Sequence, residues 1–208
     1  MKNFLQKNRL VLSLYTFLLI GGVILLLLIP KAELHLYINQ FNSPFFDLFF
    51  KNVTWLGSGW AVAVLVLLLL IKNRRTAIIF LSGNLIITLI VQISKRFIFP
   101  GMLRPVAFFS DPDKLHLIAG EKMHHFHSFP SGHSATAFGI FIILIYVTNN
   151  HYGKLGWLFL ALITAFSRVY LSQHFFGDIL AGSFIGTITM IFTIWLFERY
   201  FSSKSVRP

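Results

Sequence analysis

Apolar residues along this chain neither alternate nor recur at a helical period; they run. From Leu10 to Ile29 only Ser13, Tyr15, Thr16 and the pair Gly21-Gly22 interrupt them, and comparable runs follow at about 58–71, 76–98, 133–149, 155–171 and 178–197. A run of about 20 apolar residues matches the ~30 Å hydrocarbon core of a bilayer, where only a helix satisfies its own backbone. The pattern therefore predicts an all-α integral membrane protein with six transmembrane helices, the second and fifth being the shortest. Between the first two runs lies ELHLYINQFNSPFFDLFFKNVTWLG, which mixes polar and aromatic positions around a proline. That composition predicts an interfacial helix lying along the membrane, with Phe45, Phe46, Phe49, Phe50 and Trp55 at headgroup level.

Residues 1–208 read as a single domain, because no connection except the loop 99–132 is long enough to do more than join helices. The first run is longer than the ~7–15 residues of a signal-peptide core, and no small-x-small site follows Pro30, so it is expected to remain as an uncleaved span.

Composition sharpens this picture. Hydrophobic residues make up 56% and charged residues 12%, about half the usual charged share of a soluble domain. The net charge of +11 would suit nucleic acid, but the basic residues sit beside the ends of apolar runs. Lys2, Lys7, Arg9, Lys72, Arg74, Arg75, Lys154, Arg199, Lys204 and Arg207 fall on one side with only Glu198 as an acid; the other side holds six of the seven acids. The positive-inside rule puts that basic side, and both termini, in the cytoplasm. A bilayer, not nucleic acid, is the expected surroundings. With no cysteine in the chain, disulfides, thiolate catalysis and cysteine-based zinc sites are excluded.

The remaining polar residues gather on the outer side. Lys95 and Arg96 end the third span; Arg104-Pro105 opens the long loop and Pro130-Ser131-Gly132-His133 closes it. Ser167-Arg168 ends the fifth span, with His174 and Asp178 entering the sixth. Ionisable groups at membrane depth are expensive and are functional candidates for that reason. Ser131, Gly132 and His133 at a helix start would offer free amides and the positive end of the dipole to an anion; an ordinary serine N-cap accounts for Ser131 equally well. His174 and Asp178, at i and i+4, share a helical face. Such a pair is either a structural hydrogen bond or a nucleophilic imidazole oriented by a carboxylate. Arg104, Arg168 and Lys95 supply the charge that phosphoryl transfer requires, and His133 is the candidate general acid.

These residues resemble the type 2 phosphatidic acid phosphatase family, membrane lipid phosphatases that share a core with vanadium-dependent haloperoxidases. The family signatures are K-x6-R-P, P-S-G-H and S-R-x5-H-x3-D. Pro130–His133 and Ser167-Arg168-x5-His174-x3-Asp178 match without departure, whereas Lys95 is followed by eight residues before Arg104 in KRFIFPGMLRP. Either the two extra residues bulge out around Pro100-Gly101, or Lys95 is displaced, or Arg96 substitutes for it. The resemblance implies six spans and a phosphatase that uses no metal or other cofactor. In it His174 attacks phosphorus, Asp178 orients His174, and His133 protonates the leaving oxygen. Arg104, Arg168 and Lys95, with the Ser131 and Gly132 amides, hold the phosphate.

Four histidines in the outer loop (His116, His124, His125, His127) could form a zinc site, but no spaced carboxylate partner is evident and a polar substrate-facing loop is the expectation. Asn84 and Gln92 read as interhelical hydrogen-bonding residues. The expected setting is the bacterial inner membrane with the site on the periplasmic side. The expected substrate is a lipid phosphate: an isoprenyl diphosphate or phosphatidylglycerol phosphate first, then lipid A, with phosphatidic acid also a member of the set. A lipid phosphotransferase and a non-enzymatic lipid-phosphate binder or flippase are the alternatives; only the basic residues would be needed for the last.

Overall fold

The computed structural model describes residues 2–111 and 114–200, so Lys204 and Arg207, as well as positions 112–113 of the outer loop, lie outside the described residues. Each predicted run is a helix. After a short α1 (Lys2–Lys7) come α2 (Arg9–Leu28), α3 (Lys31–Gln40), α4 (Pro44–Val53), a 3-10 turn (Thr54–Gly57), α5 (Gly59–Lys72) and α6 (Arg74–Ile93). The short α7 (Pro105–Phe108) follows, then α8 (Gly132–Val147), α9 (His151–Tyr170) and α10 (Phe176–Tyr200). Among the described residues there is no strand.

Length and composition let α2, α6 with its extension to Ile98, and α10 cross a bilayer. The segment Pro44–Gly57 and α5 together also pass, as a span bent by 55° at Ser58. The stretch expected as one interfacial helix is thus two helices. The reason is local: Ser43 caps α4 by accepting from the Phe46 amide (3.3 Å), and Pro44 fits the first turn because its missing N–H costs nothing there. Capping also moves other boundaries. Asn150 accepts from the Tyr152 amide (3.0 Å) and starts α9 four residues before the apolar run.

The helix α8 is the axis of the bundle, with Phe138, Phe141, Ile142 and Ile143 fully buried among α6, α9 and α10. Its contact with α10 is backbone to backbone. A Cβ placed on Gly182 would collide with the Ser131 carbonyl, and one on Gly186 with the Ala135 carbonyl. Two glycines four residues apart therefore set how closely these helices approach, the small-xxx-small device by which membrane helices pack. At the other side of the same helix start, a Cβ on Gly57 would stand 2.6 Å from the His133 carbonyl, so the 3-10 turn also abuts α8. The pole away from the long loop is tied by Lys154 Nζ donating to the Lys7 carbonyl (3.1 Å) and Arg75 Nη2 donating to that of Phe197 (3.2 Å).

Candidate active site

At the loop pole the C-terminal end of α6, the start of α8, the end of α9 and the start of α10 meet. The third span does not end as a regular helix. Ser94–Ile98 is a π-helical turn, followed by a reversal in which Gly101 takes φ +77°, a conformation that suits glycine. This absorbs the longer K-x8-R-P spacing. Lys95 stays half-buried, with Nζ donating to the His127 carbonyl (2.8 Å), while Arg96 is exposed. His127 reciprocates through Nδ1 on the Lys95 carbonyl (3.2 Å). Lys95, rather than Arg96, is the residue within electrostatic reach of Arg104, Arg168 and Asp178.

Arg104 precedes α7 and is buried. Its Nε donates to the Phe126 carbonyl (3.0 Å) and its Nη1 to the carbonyl and Oε1 of Gln173 (2.9 and 3.1 Å). Arg168, in the last turn of α9 and also buried, donates from Nη1 to Thr54 Oγ1 (2.8 Å). Its Nε has no hydrogen-bond partner among the described residues. A buried, unpaired guanidinium N–H is costly unless something supplies an acceptor.

Past Arg168 the chain turns through Ser172, at φ +51°, and both Gln173 and His174 return their amides to the Arg168 carbonyl (3.0 Å each). His174 is thereby held inside the bundle, 2% exposed. Burial first, then Arg104, Lys95, Arg168 and His133, hold its pKa well below the usual imidazole range, so the ring is neutral. Its Nδ1 lies 3.4 Å from Asp178 Oδ2. Asp178 sits in the first turn of α10, where the helix dipole favours a carboxylate, and its Oδ2 also accepts the Phe175 amide (2.9 Å). A third donor reaches the same oxygen: Ser128 Oγ, 2.5 Å away and itself 3.5 Å from His174 Nδ1.

The start of α8 corrects one expectation. Ser131 Oγ accepts from the Ser134 amide (3.4 Å) and hydroxyl (2.9 Å), and the Ser131 amide donates to the Asp178 carbonyl (3.0 Å). Its polar groups are spent on capping the helix and docking it to α10, so Ser131 has no amide left for a phosphate. The first-turn amides at Gly132 and His133 have no intrahelical acceptor. His133 lies within electrostatic reach of Arg168, Arg104, Lys95 and His174. A cavity of about 200 Å³ lies beside it, lined by His133, Arg168, Gln173, Thr54, Lys51, Lys122 and His124 among others. Two imidazoles, three cations and one carboxylate, from the end of α6, the residue before α7, the start of α8, the end of α9, the turn after it and the start of α10, are thus linked electrostatically, with His133 and Arg168 on the cavity wall. That set suits a tetrahedral oxyanion.

A model of the family described as the PAP2 superfamily matches residues 76–202. The chain belongs to the PAP2 superfamily. It is 31% identical over 176 residues, 80% of its length and 74% of the relative's, to the lipid A 4'-phosphatase of Bacteroides thetaiotaomicron. The crystal structure of Aquifex aeolicus LpxE superposes with TM-score 0.70 at 28% identity, covering 78% of this chain and 93% of the other. A transmembrane PAP2-type phosphatidylglycerolphosphate phosphatase from Bacillus subtilis matches at TM-score 0.69, 20% identity and 94% and 98% coverage, a likeness of fold. The protein is a PAP2-type membrane lipid phosphatase.

Within this PAP2 site, Ser128, Thr54 and Gln173 hold the predicted residues in place and were not anticipated. Gln173 adjoins His174, and Ser128 lies just before Phe129-Pro130, so sequence proximity was the available signal; Thr54, more than 100 residues from Arg168, offered none. The loop histidines are placed separately: His116 Nε2 on Asp47 (2.9 and 3.0 Å), His127 on Lys95, His124 on the cavity lining, and His125 exposed. Among the described residues no three His, Asp or Glu side chains converge on a metal position. Asn84 bonds within its own helix, to the Phe80 carbonyl (3.1 Å), and Gln92 is exposed, so neither plays the expected interhelical role.

Proposed function

We propose that this phosphatase hydrolyses a phosphate monoester on a lipid A-type glycolipid, through a phosphohistidine on His174, at the outer face of a bacterial inner membrane. The observation that carries the reading is the pair of buried guanidinium groups, Arg104 and Arg168, with half-buried Lys95 within electrostatic reach of both and Arg168 Nε unpartnered. An entering phosphate supplies the missing acceptor and offsets the excess positive charge. Asp178 holds the Nδ1 proton of His174, leaving the Nε2 lone pair to attack phosphorus. As the P–N bond forms, the P–O bond breaks and its electron pair passes to the leaving oxygen, which takes a proton from His133. The phosphate dianion beside His133 favours the imidazolium needed for that step. Water then attacks phosphorus, His133 accepts its proton, and cleavage of the P–N bond releases inorganic phosphate and neutral His174. The Gly132 amide joins Arg104, Arg168 and Lys95 on the phosphate oxygens.

Two observations support a glycolipid over the isoprenyl diphosphate and phosphatidylglycerol phosphate ranked first from sequence. One is the 31% identical relative that acts on lipid A. The other is the cavity lining, where Trp55, Glu121, Lys122 and His124 add the mixed aromatic and polar surface that suits a sugar.

Phosphate release from lipid A, phosphatidylglycerol phosphate, phosphatidic acid and undecaprenyl diphosphate, measured in detergent with chelator, tests both parts. Lipid A should be turned over fastest, with one phosphate freed per substrate consumed, and His174→Ala should lower turnover about 10^4-fold. Full activity in His174→Ala would end the mechanism. A faster rate on undecaprenyl diphosphate would end the substrate assignment, and less free phosphate than substrate lost would point to phosphotransfer.

A further inference from the structure

The pole opposite the active site holds a second polar cavity. It measures about 130 Å³ and lies where the end of α1, the ends of α8 and α10 and the start of α9 meet. Lys7, Asn8, Tyr146, Lys154 and Glu198 stand on its wall. The rise along α9 from Lys154 to Arg168 is about 21 Å, so this cavity is separate from the phosphate site.

Lys154 is 5% exposed, and its ammonium donates to the Lys7 carbonyl (3.1 Å). An ammonium carries three donors, and the other two meet no acceptor among the described residues. The exposed Lys7 side chain lies within electrostatic reach of it. Asn8 is 3% exposed; its Nδ2 donates to the Phe4 carbonyl (2.9 Å), and its Oδ1 has no hydrogen-bond partner among the described residues. Glu198 is hydrogen-bonded with Tyr146, which leaves two cations against one carboxylate on the wall. A buried acceptor and a buried ammonium with protons to spare make opposite demands, and both are costly to leave unmet. Water answers them singly but brings no charge.

We propose that this cavity binds a phosphate group with a hydrogen-bond donor beside it. The phosphate oxygens accept from Lys154 and Lys7, and the donor reaches Asn8 Oδ1. A phosphoglycerol headgroup of the surrounding lipid and free hydrogen phosphate share this chemistry. A singly charged phosphodiester brings the wall to neutrality. The cavity lies at the ends of spanning helices, where headgroups lie, and Phe4 and Ile145 give its wall an apolar part. Four elements meet around it, so occupancy should stabilise the fold by linkage. The proposal is independent of the phosphatase reaction.

The chain has no cysteine, so Asn149→Cys, at an exposed position on this wall, can carry a single fluorophore, and His125→Cys on the outer loop the control. The full chain in neutral detergent is titrated with phosphatidylglycerol, phosphatidylcholine and inorganic phosphate. Phosphatidylglycerol should change the Asn149→Cys signal saturably and raise the melting temperature. Phosphatidylcholine has the phosphate but no donor and should bind at least about ten-fold more weakly. Lys7→Gln keeps the backbone tie to Lys154 and should weaken phosphatidylglycerol about ten-fold at the Asn149→Cys label. A signal at His125→Cys, from ligand in the active site, should be indifferent to that substitution. Saturation by inorganic phosphate instead of the lipid, lost in Lys7→Gln, would support the site with the free ion as its occupant. Equal binding of the two lipids, an unchanged affinity in Lys7→Gln, equal effects at both labels, or no saturable signal from any of the three would overturn the proposal and leave the cavity to water.

Discussion

The two flanks of α8 are built on opposite principles. Toward α10 the helix is sealed, with Gly182 and Gly186 bringing backbones into contact and the Ser131 amide bonded to the Asp178 carbonyl. Toward α5 it is open, and Trp60, Val64 and Leu68 stand more than half exposed beside a groove. The proposed hydrolysis needs His133 and His174, on different elements, to hold a fixed spacing, since small misplacements erode the benefit of positioning. On the proposed mechanism the sealed flank, which holds Asp178 against the start of α8, is the one whose geometry matters most to the chemistry, and the open flank is left unfilled.

The sharpest way to break this contrast is to add bulk on each side. Gly186→Leu drives a side chain into the Ala135 carbonyl, with no flexible neighbour to yield. It should destabilise the protein by about 3 kcal/mol or more and abolish activity. Val64→Leu, on the open flank, should leave the melting temperature within a degree or two. Equal melting temperatures for the two variants would show that the α8–α10 contact is not the rigid one.

A smaller effect sharpens the picture of the sealed side. Ser128 Oγ, His174 Nδ1 and the Phe175 amide all lie against Asp178 Oδ2. Ser128→Ala removes one donor from a buried carboxylate, a loss of about 1.5–3 kcal/mol for a hydrogen bond to a charged group. Asp178 is then less firmly placed to orient His174, so kcat should fall about 10- to 100-fold with KM nearly unchanged. Ser128→Thr, which keeps the hydroxyl, should restore part of the rate. A rise in KM at constant kcat would mean that Ser128 serves phosphate binding instead.

The helices were legible in the sequence because a bilayer imposes one solution on an apolar run, and the gathering of Lys95, Arg104, His133, Arg168, His174 and Asp178 at one pole because all six stand beside the ends of such runs on the same side. What escaped notice depends on backbone shape. The longer spacing after Lys95 announced an irregularity, but that it is a π-helical turn keeping Lys95 inward and Arg96 outward follows from packing against His127. The assignment of Ser131 to phosphate failed because two neighbours, Ser134 and Asp178, claimed its polar groups first. The division of the stretch before α5 was readable in Ser43-Pro44. Gly182 and Gly186 formed a readable motif; that they meet the carbonyls of Ser131 and Ala135 did not follow from it.

The mildest test concerns what braces the sealed flank from outside. In α3, Asn39 Nδ2 donates to Ser172 Oγ (3.2 Å) and to the His116 carbonyl (3.1 Å), while His35 Nε2 lies 3.2 Å from Ser172 Oγ. Ser172 is the left-handed residue two before His174, so α3 steadies the turn that carries the proposed nucleophile. His35 is 1% exposed, packed on Phe109 and Phe175, and burial lowers its pKa to about 4. The folded protein keeps this ring neutral, whereas in the unfolded chain it takes a proton near pH 6.5. Between those values the unfolded state binds more protons, so stability is complete above pH 6.5 and declines as pH falls toward 4, by about 3 kcal/mol from this residue. His174 and His124, also lowered, add losses of the same sign. Thermal unfolding in detergent at pH 7 and pH 4 should therefore differ, and His35→Gln, which keeps a donor for Ser172 but cannot titrate, should reduce the difference. An unchanged pH dependence in that variant would remove His35 from the account and leave the acid sensitivity to His174 and His124.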